Sequence, residues 1–194
     1  LPNNMPVLPS EVEGRLKLAT SIVRDTSGIQ PVSFRSPRLW GSTNLVNILE
    51  GMGYIADASF PLYFYREPFY PYHPSSDDWT RPGDMNILEI PNFCDLTMES
   101  HDEYNRDRDQ WPLYRTKGAG YLIKKADGFI KYVRGRGKRP VLCFYLHPWE
   151  FYPMPQGSIT FGECSVKPLP FIVKNCGPKA LEQLEKLLTM LRDR

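Results

Sequence analysis

The run Val141-Leu142-Cys143-Phe144-Tyr145-Leu146 constrains this chain more than any other stretch. It is apolar or aromatic at every position, too short for a membrane span, and lacks a helical period. Such a run predicts a strand buried on both faces, as in a parallel sheet. His147-Pro148-Trp149-Glu150 follows at once. Proline has no N–H to donate, so the ladder stops there and the imidazole is expected at the C-terminal tip of the strand. In parallel α/β folds that edge carries ligands and catalytic groups. Histidine is both the usual proton-transfer group near neutral pH and a common structural residue, and this stretch alone supports both readings equally.

With 194 residues, the chain has enough material for one domain with a real core, and a single domain over 1–194 is expected. Its net charge of +2, from 24 basic and 22 acidic residues, gives no electrostatic reason to expect nucleic acid or an anionic membrane as partner. No apolar run reaches the ~20 residues of a transmembrane helix. The first residues lack the basic and apolar regions of a signal peptide, although a segment already removed would leave no trace. Cys94, Cys143, Cys164 and Cys176 form neither a zinc pattern nor a disulfide framework. Reduced thiols in a cytoplasm are the default; a Cys164–Cys176 bridge, and a secreted or periplasmic location after loss of a signal, stay open. Many of the 19 prolines, 11 tyrosines and 10 phenylalanines fall in loops, which suggests ordered loops lining a groove.

Ser10 and Glu13 read as a capping box opening a helix over 11–26, with Val12, Leu16, Ala19, Ile22 and Val23 on one face and Gly28 as its stop. Strands are expected at 32–34, 54–56, 86–91 and 141–146. A helix capped by Ser42 or Thr43 carries Leu45, Ile48 and Leu49; another follows Gly118, and Pro178 opens a last one rich in leucine. Residues 60–85, 92–117 and the stretch after 150 read as irregular. Arg134, Arg136, Lys138 and Arg139 read as cations at a helix C-terminus rather than as a nucleic-acid patch. Helices alternating with strands imply parallel pairing and right-handed crossovers. Four short strands cannot close a barrel, so the chain is expected to supply the later part of a larger β/α unit.

The strand ends share one chemistry. The first offers Arg35, the second Asp57 and Ser59, the last His147, Trp149 and Glu150. In one parallel sheet these would lie on one rim, with Arg35 and His147 facing a common pocket. A cation, a carboxylate and an imidazole among aromatics suit hydrolysis within a carbohydrate or a similar polar ring. Each has a bland alternative: Arg35 binding loop carbonyls, Asp57 capping a turn, Trp149 in the core. Trp40, Asp57, Trp79, Trp149 and Glu150 are the expected substrate-binding residues.

The turn Phe34-Arg35-Ser36-Pro37, the segment 53–59, Ile87-Leu88-Glu89-Ile90-Pro91 and Phe144-Tyr145-Leu146-His147-Pro148-Trp149-Glu150 resemble the later motifs of polysaccharide deacetylases, the NodB-homology group (carbohydrate esterase family 4), in the branch ending H-P-W-E. The resemblance covers about residues 10–150. It implies a deformed (β/α) barrel and removal of acetyl groups from N-acetylated sugars by water activated on a divalent metal, usually zinc. His147 would be the general acid, Arg35 would hold the catalytic aspartate, and the N–H of Arg38 would help bind the oxyanion. The family's early T-F-D-D-like and H-x-x-x-H-like motifs do not occur here, and Arg38 replaces the usual aromatic of the R-P-P-Y-G turn. The metal ligands are therefore expected outside this chain, and no metal ligand is assigned within it. The implied partners are an N-acetylated glycan or related small amide and an N-terminal segment or second chain completing the barrel; homo-oligomerisation stays open. Two other readings compete: an allantoinase-like cyclic amide hydrolase, and a non-catalytic glycan-binding module.

Overall fold

A computed structural model describes residues 9–192. The fold is mixed α/β, and the described residues fall into two compact units that divide between Asn92 and Phe93.

The first unit is built on three short parallel strands in the order β1 (Ser33–Phe34), β2 (Ala56–Asp57), β3 (Leu88–Glu89). In register, Phe34 lies opposite Asp57, and Asp57 opposite Glu89. Bonds from Ala58 N to Phe34 O (3.0 Å) and from Ile90 N to Asp57 O (2.8 Å) extend the ladder. Helix α1 (Pro9–Ser27) precedes the sheet, and Gly28, at φ +72°, ends it as expected. Ser10 lies inside α1, so it does not cap the start of that helix. The buried face of α1 agrees only in part with the one the sequence suggests, through Leu16 and the half-buried Val12. Leu16 and Thr20 are buried, Thr20 Oγ1 meets the Tyr54 hydroxyl at 2.7 Å, and Ile22 and Val23 are exposed. A hydroxyl with a buried partner can face a core as readily as an alkyl group.

Helix α2 (Thr43–Gly51) joins β1 to β2. Ser42 is its cap, with Oγ accepting from Leu45 N at 3.2 Å. Leu45, Val46 and Leu49 are buried. The stretch 60–85, which includes the single turn α3 (Leu62–Tyr65), sends part of its aromatic content into the core. Phe60, Phe69, Tyr72 and Trp79 are buried, and Tyr72 pairs antiparallel with Glu89 through two main-chain bonds.

The second unit is mainly helical. In α5 (Ala119–Arg134), Leu122, Ile123, Ala126, Phe129 and Val133 are buried. α5 packs against α4 (Leu113–Thr116) and α7 (Pro178–Arg192), which buries Ala180 and Leu187. A hairpin of β4 (Ile159–Phe161) and β5 (Cys164–Val166) turns at Gly162, φ +57°, and α6 (Pro170–Val173) follows.

The strand expected at 141–146 does not form. From Leu142 to Leu146 the segment is half-buried, and its main chain accepts from Phe93 N at Cys143 O (2.9 Å) and from the Gln110 side chain at Tyr145 O (3.0 Å). An apolar run reads as a strand, but a strand also needs a neighbouring backbone to pair with. The expected element order is corrected in the same way: β4 and β5 are added, and the described strands form an open three-stranded parallel sheet and a hairpin rather than a barrel. Cys164 and Cys176 are not bridged.

Candidate functional site

In the second unit, the chain turns sharply at Pro148–Phe151 into one turn of 3-10 helix, and the turn folds the Glu150 carboxylate back under His147. Glu150 is fully buried. Its Oε1 accepts from His147 N (2.8 Å), His147 Nδ1 (3.2 Å) and Trp111 Nε1 (2.9 Å). Its Oε2 accepts from Arg115 Nε (2.5 Å) and the Tyr114 hydroxyl (3.4 Å). Arg115 is itself fully buried, and its Nη1 donates to the carbonyls of Phe171 (3.1 Å) and Lys174 (2.6 Å). Glu150 is therefore not an exposed sugar-binding carboxylate. It anchors five donors, and removing one side of such a buried pair costs roughly 3–5 kcal/mol.

His147 stands above this anchor with 41% of its side chain exposed. With Nδ1 committed to Glu150, Nε2 is the ring nitrogen left for a ligand. Aromatic rings surround the imidazole: Trp111 at 5.2 Å, Trp149 at 5.4 Å and Tyr145 at 5.9 Å between centroids. The Arg115 guanidinium lies 5.9 Å from the Trp111 ring and 5.7 Å from the Trp149 ring, within cation–π range. Beside them the Tyr145 hydroxyl donates to Asp109, whose carboxyl burial pushes up to about 7. Burial also pushes the Tyr114 phenol up, with the Glu150 charge adding to it.

The first unit holds the other expected residues. Asp57 and Glu89, 1% and 0% exposed, sit side by side at the ends of β2 and β3. Ser59 Oγ donates to Asp57 Oδ1 (2.6 Å) and accepts from Ser36 N (2.9 Å); Glu89 Oε1 accepts from Phe60 N (2.9 Å). Among the described residues, Asp57 Oδ2 and Glu89 Oε2 have no hydrogen-bond partner. Burial raises both carboxyls, and for Glu89 the Asp57 charge raises it further, so the pair holds a proton at neutral pH. Arg35 is half-buried and donates from Nε to Ala58 O (3.0 Å), the loop-carbonyl role considered above. Arg38 is exposed at φ +59°, with its guanidinium 5.8 Å from the Trp40 ring, and Trp40 is 59% exposed. Trp79 is core rather than an open platform. Phe60 and Tyr65 pack on it at 5.5 and 6.1 Å, and Gly41 lies against its ring.

His147, Trp149 and Glu150 are thus brought together in one unit, with Arg35, Arg38, Trp40, Asp57 and Trp79 in the other. Trp111, Arg115 and Glu89 were missed. A buried arginine has no periodic signature, and Trp111 reads as a loop aromatic. Glu89 interrupts the apolar residues of Ile87-Leu88-Glu89-Ile90, and that charge inside a strand was the available signal.

The donor sets do not fit a zinc site. Among the described residues no three His, Cys, Asp or Glu side chains cluster to hold a metal ion. Asp57 with Glu89 is a pair and not a set of three, with Oδ1 taken by Ser59 and Oε1 by Phe60 N. None of the described helices is long and apolar enough to cross a membrane.

No protein-family model matches the chain, and no curated protein matches it. Among solved structures it is similar to a presumed polysaccharide deacetylase from Mycobacterium smegmatis, with a TM-score of 0.44 and 15% identity over 71% of this chain. The match spans 43% of that protein's length.

Proposed function

We propose that this chain carries the proton-donating part of a hydrolase that removes acetyl groups from N-acetylated sugars. The observation that carries this reading is the half-exposed imidazole of His147, tied at Nδ1 to the buried Glu150 and flanked by two indoles. Once water has added to the acetyl carbonyl carbon, the C–N bond breaks, acetate is left, and the imidazolium of His147 gives its Nε2 proton to the departing amine nitrogen. Trp149 and Trp111 offer the apolar faces on which a sugar ring stacks. The roles expected of Arg35 and of the Arg38 N–H rest on the sequence resemblance alone, as does the divalent metal. The described residues supply no ligand set for it, so no step here runs through it.

The test is acetate release from N-acetylglucosamine oligomers by the intact protein, with divalent metal supplied or chelated. His147→Gln is expected to lower kcat by about 100-fold or more while oligomer affinity stays within about threefold. The tryptophan-lined surface also favours a second reading, a sugar-binding module without chemistry. Oligomer binding that survives His147→Gln, with no acetate released under any metal, would establish that reading instead.

A further inference from the structure

The geometry points to Glu150 and Arg115 as positioning residues for His147: the buried carboxylate fixes which ring nitrogen faces the ligand, and the buried guanidinium fixes the carboxylate together with both indoles. The inference rests on the reading of His147 as a proton donor, and its key measurement does not depend on activity.

Three observations carry it. Among the side chains that donate to Glu150, those of His147 and Trp111 reach the surface in part, while Tyr114 and Arg115 are buried. The other contacts therefore build a fixed acceptor, and the bond to Nδ1 transmits that fixity to a group at the surface. Secondly, Glu150 accepts from the main chain of His147 as well as from its ring, at 2.8 and 3.2 Å. One carboxylate thereby sets both the backbone position and the ring orientation. Thirdly, Arg115 reaches three elements at once: Glu150 in the 3-10 turn, the carbonyls of Phe171 and Lys174 at α6, and the rings of Trp111 and Trp149. A buried ion pair that only held the turn in place would not need both rings flanking the imidazole to pack on the same guanidinium.

The experiment compares wild type with Glu150→Gln, Glu150→Asp and Trp111→Phe, using ring ¹⁵N shifts of His147 by NMR and the pH profile of acetate release. In wild type, the neutral form of His147 is expected to be a single tautomer with its proton on Nδ1, and Nε2 carries a proton only in the imidazolium that acts as the acid. Glu150→Gln should mix the tautomers, move the pH profile and lower kcat by about 100-fold with KM within about threefold. Trp111→Phe removes one donor to Oε1 but keeps a ring and the carboxylate, so the tautomer should hold. Glu150→Asp should restore part of the wild-type pattern. Because Glu150→Gln strands the buried Arg115 charge, the double variant Glu150→Gln/Arg115→Met gives the same readout if the single variant does not fold. Unchanged ring shifts and an unchanged pH profile in a folded Glu150→Gln variant would overturn the inference. A tautomer that depends on Glu150 in a protein releasing no acetate would uphold the positioning pair and overturn the deacetylase reading.

Discussion

Glu89 shows how far burial can move one group. Its carboxyl is 0% exposed beside Asp57, and burial, followed by the Asp57 charge, pushes it up to about 10. The unfolded chain releases that proton near 4.5. Between these values the folded protein binds a proton that the unfolded chain does not, so stability falls as pH rises. The contribution is complete below about pH 4.5 and is lost progressively on the way to about pH 10, with a limiting slope of about 1.4 kcal/mol per pH unit. Asp57, also raised by burial, adds in the same direction. Amide exchange at Ala58 and Ile90, corrected for the intrinsic base-catalysed rate, should speed up from pH 5 to pH 9 in wild type. Glu89→Gln, which keeps a neutral donor beside Asp57, should flatten that trend. A Glu89→Gln protein with the wild-type pH slope would mean that the pair holds no such proton.

At the scale of elements, the loop 60–85 depends on close packing. An added Cβ on Gly41 would lie 2.2 Å from Cη2 of Trp79, whose ring is held by Phe60 and Tyr65. Gly41→Ala must displace that buried indole and should destabilise the protein by about 1–3 kcal/mol, read as a lower denaturant midpoint at unchanged m-value. In the other unit Leu187 is 3% exposed on α7, and Leu187→Ala should cost about 2–4 kcal/mol by the same measurement. The helices behind these predictions were legible in the sequence because one face of each repeats with a helical period, as Leu122, Ala126, Phe129 and Val133 do. The strands were legible in place but not in extent. Ile87-Leu88-Glu89-Ile90 alternates, yet only Leu88 and Glu89 pair in β3. The hairpin at 159–166 went unread: Gly162-Glu163 is a weak two-residue turn signal, and strands of three residues leave little pattern to find. His147 and Glu150 were legible as neighbours because they share a turn. Arg115 was not, since its partners at 150, 171 and 174 are distant in sequence and meet only through folding.

For the whole molecule, the remaining issue is what a metal would do to it. A ligand that binds only the folded state raises stability by RT ln(1 + [L]/Kd), about 2.7 kcal/mol at a hundredfold excess over Kd. A zinc site needs several converging donors to reach a useful Kd, and the described residues gather no three of them. Asp57 and Glu89 are a buried pair in which burial favours the protonated, non-ligating form, and Glu150 is paired with Arg115. Zinc at about 100 μM, or an excess of chelator, should therefore leave the melting temperature within about 1 °C of the metal-free value, because a site of micromolar Kd would raise it by several degrees. A saturable rise of that size would mean that donors outside the described residues complete a site on this chain. In that event the chemistry proposed for His147 would gain a metal-activated water as its counterpart: a rise that persists in His147→Gln keeps the imidazole as proton donor, and a rise lost with it makes Nε2 a metal ligand.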